Sequence, residues 1–248
     1  MTRLVRAELA KLRTIRLFYG VAAAMAAFGV LTVVANVTSA GRQGNPPLSA
    51  HTLPGLAGAP ATMLSGAALL LGILGMAGEF RHHTITQTFL ATPDRGRVVA
   101  AKLAAYALAG ISVAALTLAV TTVVSLSWLS AKGVAVSVLD GELGRALAGT
   151  LLAAGLCGLV GVGVGALVRN QVAALVGVLV WAVVVEGLLL SLLNAPNLGK
   201  WLPSAAAAAL TNPSDGHLSR WAGGLLFAAY GLALSVVGTR FVIRRDVT

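Results

Sequence analysis

Polar residues in this chain fall in short interruptions between long apolar runs. Six runs stand out, at 17–40, 61–78, 103–128, 146–168, 172–193 and 221–239. A helix needs about 20 mostly apolar residues to cross a hydrocarbon core of ~30 Å, and each run has about that length. Glu186 is the one acid or base inside them. The runs are rich in Ala, Leu and Gly, and polar and apolar residues do not alternate in them. That favours helices over the strands of a barrel. The pattern predicts an all-α polytopic membrane protein with six transmembrane helices. It shows no repeat and no boundary, so residues 1–248 read as a single membrane domain.

The interruptions predict smaller elements. Over residues 2–16, Val5, Leu9 and Leu12 share one helical face while Arg3, Arg6 and Arg13 take the other. This suits an amphipathic helix lying in the membrane interface, or else a plain basic flank of the first span. Residues 41–60, with Gly41, Gly44, Pro46, Pro47, Pro54 and Pro60, predict an external loop with little helix. Arg169-Asn170-Gln171 predicts a tight turn that pairs spans four and five antiparallel. Between 194 and 220, where Pro196, Pro203 and Pro213 interrupt the chain, the stretch WLPSAAAAAL (201–210) is too apolar for a solvated loop and too short to cross. It predicts a short external helix starting near Ser204 and dipping into the outer leaflet, where protein or a water-filled cavity must cover it.

Composition sharpens this picture. The chain is 57% hydrophobic and 10% charged, against the ~25% charged residues of a soluble domain. Its net charge of +10 is unevenly placed: thirteen of the 18 Lys and Arg fall on the side of the termini and five on the other. Basic loops stay in the cytoplasm, so both termini are expected there, touching anionic lipid rather than nucleic acid. Met1–Ala40 carries a weak cleavage-like Thr38-Ser39-Ala40, but its apolar stretch is longer than the ~7–15 residues of a signal core. The lone Cys157 excludes an intrachain disulfide. Arg outnumbers Lys 14 to 4, a composition that suits a GC-rich bacterial genome.

Catalytic chemistry finds little support. His51 and His217 fall in external loops, and the adjacent His82 and His83 would point about 100° apart on a helix, so no metal site is expected. No phosphate-binding loop is present, so no cofactor is expected on this chain. The stretch GLVGVGVGAL (158–167) has no strand before it and no Lys-Ser/Thr after it; Gly161 and Gly165 read as a small-xxx-small pair for close helix packing. Glu186 has three readings: it lines a substrate path, it bonds a neighbouring helix or a second copy, or it lies incidentally near the interface.

The segment EFRHHTITQTFLATPDRGRVVAAK (79–102) interrupts the apolar pattern most sharply. Phe80, Ile85, Phe89 and Leu90 stand among polar residues, followed by a Pro93-Asp94-Arg95-Gly96 turn, which predicts a short amphipathic helix offered to a partner. The segment resembles the first cytoplasmic loop of ABC-2 type transporter permeases, the membrane subunits of bacterial ABC exporters. The matching residues are Glu79 at the end of the second span, Thr84-Ile85, Thr92-Pro93, Arg95, and Lys102 entering the third; His82-His83 stands where the family often has Gly. The resemblance implies a coupling loop over 79–97 that docks on a separate ATP-binding subunit. There Phe80, Ile85 and Phe89 would be covered by a groove, with Glu79, Arg81 and Arg95 setting the register beside Thr84 and Pro93. It further implies ATP bound on that partner, a second permease copy or related permease, a bacterial plasma membrane location, and export of an amphipathic drug, antimicrobial peptide or lipid. Two other functions stay open: a non-transporting membrane scaffold and a secondary transporter.

Overall fold

The structure is a computed structural model. It describes the chain except residues 43–46, 50–51, 83, 92–93, 135, 137–140, 194–198, 212–217 and 245–248, and except the side chains of 89, 91, 190, 193 and 241–244. Thr92 and Pro93 of the 79–97 segment, His51, His83, His217, Gly44, Pro46, Pro196, Pro213 and Arg245 therefore lie outside the described residues, as does the Phe89 side chain.

The described chain is helical throughout, in the order α1 (Thr2–Thr14), α2 (Arg16–Ser39), α3 (Thr52–Gly58), α4 (Ala61–Arg81), α5 (Thr84–Ala91), α6 (Arg95–Ala131), α7 (Glu142–Val168), α8 (Gln171–Val180), a π-helical turn (Trp181–Val185), α9 (Glu186–Leu193), α10 (Pro203–Thr211) and α11 (Arg220–Arg244). Among the described residues six stretches are long and apolar enough to cross a membrane, and each contains one of the runs read from the sequence or most of it. α8, the π-helical turn and α9 together make the fifth. At 37 residues α6 is the longest helix. At 1.5 Å per residue it spans ~55 Å, well beyond a bilayer core.

α7 is the central helix. One face of it packs on α4 through glycine: a Cβ on Gly161 would come within 3.0 Å of the Gly72 Cα, and one on Gly165 within 3.0 Å of the Met76 Cβ and 3.1 Å of the Ile73 carbonyl oxygen. The pair chosen from the sequence thus sits at a helix crossing so close that side chains do not fit. A second face meets α6, where a Cβ on Gly110 would crowd Ala154, and a third meets α11, where one on Gly163 would lie 3.0 Å from the Ser235 nitrogen. In a bilayer, association comes from such close backbone approach, because lipid chains are as apolar as Leu.

α1 is a separate helix, ended by extended backbone at Ile15, as expected for residues 2–16, rather than a mere flank. Two loop expectations change. The 41–60 loop contains α3, which buries Leu53, Leu56 and Ala57 against Val33, Val37, Leu129 and Leu143. Pro54 is tolerated there because first-turn amides have no helical acceptor anyway. Arg169 makes the turn after α7 in the left-handed region (φ 56°). α8, however, packs on α4 as well as on α7: its buried Ala174 clusters with Ile73 and Ala77.

Candidate functional site

Charged side chains gather where α1, α4, α5 and α6 meet. α4 ends at Arg81, whose guanidinium donates to the Gln171 side chain at 3.3 Å at the start of α8. The α4–α5–α6 corner and the α7–α8 turn therefore lie at one end of the bundle, which carries Arg16, Arg81, Arg95, Arg97 and Arg169. We call it the basic end.

Lys102 is completely buried at the foot of α6. Its ammonium donates to Glu8 Oε2 of α1 at 2.7 Å and to Glu79 Oε1 of α4 at 2.6 Å. Lys11, one turn after Glu8, donates to Glu8 Oε1 at 2.8 Å and to Glu79 Oε1 at 3.0 Å. Two ammoniums and two carboxylates from three helices thus form a closed, formally neutral quartet. Burial alone would raise the Glu8 carboxyl; Lys102 first, then Lys11, outweigh it and hold the group below the usual carboxylate range. For Lys11, burial works downward, and the bonds to Glu8 and Glu79 hold its ammonium above the usual lysine value. Glu79 Oε2 is sealed from solvent and accepts nothing, a deficit that costs ~1–3 kcal/mol for a buried polar atom.

These positions revise the partner-facing assignment. Glu79 is turned inward on the two lysines instead of outward. Ile85 is buried in the core cluster that also holds Leu12, Val98 and Val99, because α5 folds its apolar side back onto α4 and α6. Phe80 is half-buried against the same core, with the Arg169 guanidinium 5.3 Å from its ring centroid. What α5 leaves outward is Thr84, Thr86, Gln87 and Leu90, the last 78% exposed. Arg81 is also exposed, and Arg95 is half-buried in the first turn of α6. The Asp94 carboxylate caps that turn by accepting from the Arg97 amide at 3.1 Å.

The sequence reading missed Glu8. Its signal was present: Glu8 is four residues before Leu12 and three after Val5, so it lies on the apolar face of the amphipathic helix, where an acid needs a partner.

A second polar cluster lies towards the opposite end. The π-helical turn brings Trp181 and Glu186, five residues apart, onto one side, and the indole donates to Glu186 Oε1 at 2.9 Å. The other carboxylate oxygen accepts from the Ser204 hydroxyl, and the Ser204 amide donates to Oε1 at 3.4 Å. Glu186 is 4% exposed and meets only donors, at the positive N-terminal end of α10. Of its three readings the geometry matches a bond to a neighbouring helix, within the same chain. α10 is the short helix expected after residue 201; it buries Ala206, Ala209 and Leu210, and Tyr230 of α11 donates to the Trp201 carbonyl at 2.8 Å beside it.

Among the described residues no group of three or more His, Cys, Asp or Glu is placed to hold a metal ion. No family model and no curated protein matches the chain.

Proposed function

We propose that the chain is the membrane-spanning permease subunit of an ATP-driven exporter, with α5 as the element that a separate ATP-binding subunit pushes. The observation that carries this reading is mechanical. α4 and α6 flank α5 and run as unbroken helices from the basic end into the glycine-packed core, and the Glu79–Lys102 pair ties them together directly beneath α5. A push on α5 therefore moves two spans and α1 together instead of bending a loop. Thirteen of 18 basic residues belong to this side, which by the charge rule supports a cytoplasmic position for it, where ATP is.

Docking would use the outward side of α5, with Leu90 as the apolar anchor and Arg81 beside it. Ile85 and Phe80 act one layer below, transmitting rather than contacting. The least buried spans, α2 and α8–α9, leave room for a second copy or a related permease. The cargo is amphipathic, in keeping with a path through an apolar bundle.

The test is a pull-down from the protein's native membranes, with captured proteins checked for a phosphate-binding loop and with Leu90→Glu and Arg81→Glu as variants. Both variants insert normally and lose most of the bound ATPase, because an anchor of this kind contributes ~2 kcal/mol or more. If wild type binds no ATPase, a non-transporting scaffold becomes the better account.

A further inference from the structure

Span five changes helical type halfway. Five residues, Trp181–Val185, form the π-helical turn between α8 and α9. The sequence favours a loose turn there. Val183, Val184 and Val185 are β-branched and crowd the preceding turn of a helix. Gly177 and Gly187 flank them, and a Cβ on either would meet nothing within 4 Å. Unlike the glycines of α7, these two loosen the backbone without admitting a neighbouring helix. We infer that the turn is a hinge at which α9 rotates against α8, and that the Trp181–Glu186 pair is the clasp that holds it.

Three observations carry this, none of which depends on an ATPase partner. First, the two halves of the span are tied to different helices. Ala174 of α8 is buried with Ile73 and Ala77 of α4, and Gln171 accepts from Arg81. Glu186 at the head of α9 accepts instead from Ser204 of α10. α10 in turn lies against α11, where a Cβ on Gly223 would come 2.9 Å from the Ala206 carbonyl oxygen. A shift of α4 relative to α10 has to be taken up between residues 174 and 186. Second, none of the five residues of the turn is buried, and Val183 is 67% exposed. No side chain of the turn is wedged between helices, so rotation there displaces lipid chains rather than core contacts. Third, Trp181 and Glu186 are joined twice. The Glu186 amide donates to the Trp181 carbonyl five residues back, and the Trp181 indole donates to the Glu186 carboxylate at 2.9 Å. If the turn closed to α-helix, that amide would pass to the Ala182 carbonyl. The helix beyond would rotate by about 100°, the angle of one residue, and Glu186 would leave both the indole and Ser204. The clasp therefore holds the π form, and opening it frees α9 from α10 in the same step.

The experiment measures the distance between nitroxides on cysteines introduced at Val176 and Leu192, exposed positions of α8 and α9, by double electron–electron resonance in nanodiscs. The native Cys157 is buried, and a sample without introduced cysteines gives its background. Leu108 and Val123, exposed on the unbroken α6, serve as the rigid reference pair. The wild-type turn gives a broader distribution than the reference, with a minor second distance several ångströms from the first. Trp181→Phe keeps a ring at this half-exposed position and removes the indole donor. It raises the ratio of the second distance to the first about tenfold, the shift that loss of one hydrogen bond to a charged group gives. Deleting Val183 removes the extra residue of the turn, leaves α9 in place on α10 and narrows the distribution to the width of the reference. A wild-type distribution as narrow as the reference overturns the hinge, and so does one that Trp181→Phe leaves unchanged. A Val183 deletion that folds and stays as broad as the wild type overturns it as well.

Discussion

Lys102 carries more of this structure than its place in the sequence suggests. A fully buried ammonium is tolerable only because carboxylates from two other helices meet it. Removing it leaves Glu8 and Glu79 facing each other with Lys11 alone. Lys102→Met should therefore destabilise the detergent-solubilised protein by ~3–5 kcal/mol, the usual cost of breaking a buried pair from one side. Lys102→Met with Glu8→Gln and Glu79→Gln should recover much of that loss in thermal melts. The quartet also has a pH signature. Glu8 titrates below its ordinary value of 4.5, so its contribution is complete above that value and disappears as pH falls through the lowered one. Lys11 titrates above 10.5, so its contribution is complete below that value and is lost as pH rises through the raised one. Melting temperature should be flat between these limits, and the acid-side fall should shrink in Glu8→Gln. An unchanged acid limb in that variant would mean that other carboxylates set it. Glu186 follows the same logic in another place. Glutamine offers one acceptor oxygen where the Glu186 carboxylate offers two, which together take three donors, so Glu186→Gln should raise protease access at α10 while leaving insertion intact.

Individual elements were legible to different degrees, for identifiable reasons. Spans and α1 come from periodicity and run length, which are local properties, and α1 even showed its buried acid to a reader asking what Glu8 faces. α3 was not legible, because its three prolines and glycines read as a loop. Only the apolar cap it places on Val33, Val37 and Leu129 makes a helix worthwhile there. α5 was legible as a short amphipathic helix, but the direction of its apolar face was not. Ile85 folds back into the core cluster that also holds Leu12 and Val98, a long-range choice that no local pattern reports. The glycines of α7 were read as packing residues; which partner each meets needed three dimensions. They support a sharp contrast. Gly161→Leu forces a side chain into the α4 backbone and should cost ~1–3 kcal/mol or more, seen as lost yield of folded protein. Gly177→Ala has open space around it and should be neutral or stabilising by ~0.5–1 kcal/mol.

At the scale of the whole molecule, the proposed function treats the basic end and the glycine core as one lever. The quartet joins α1, α4 and α6, and α7 packs on both α4 and α11. α10 closes the other end, held by Glu186. The charge asymmetry was readable from the sequence, but the internal ties that would make a lever were not, since they join residues as far apart as Glu8 and Lys102. The most direct measurement places a photo-crosslinking amino acid at position 90 and, in a separate strain, at position 130 at the far end of α6. Cells are irradiated and the adducts identified by mass. The account predicts that position 90 captures a nucleotide-binding protein, with less adduct once Arg81 is changed to Glu, and that position 130 captures none. Adducts at position 90 to lipid alone, or nucleotide-binding protein captured equally from both positions, would contradict it.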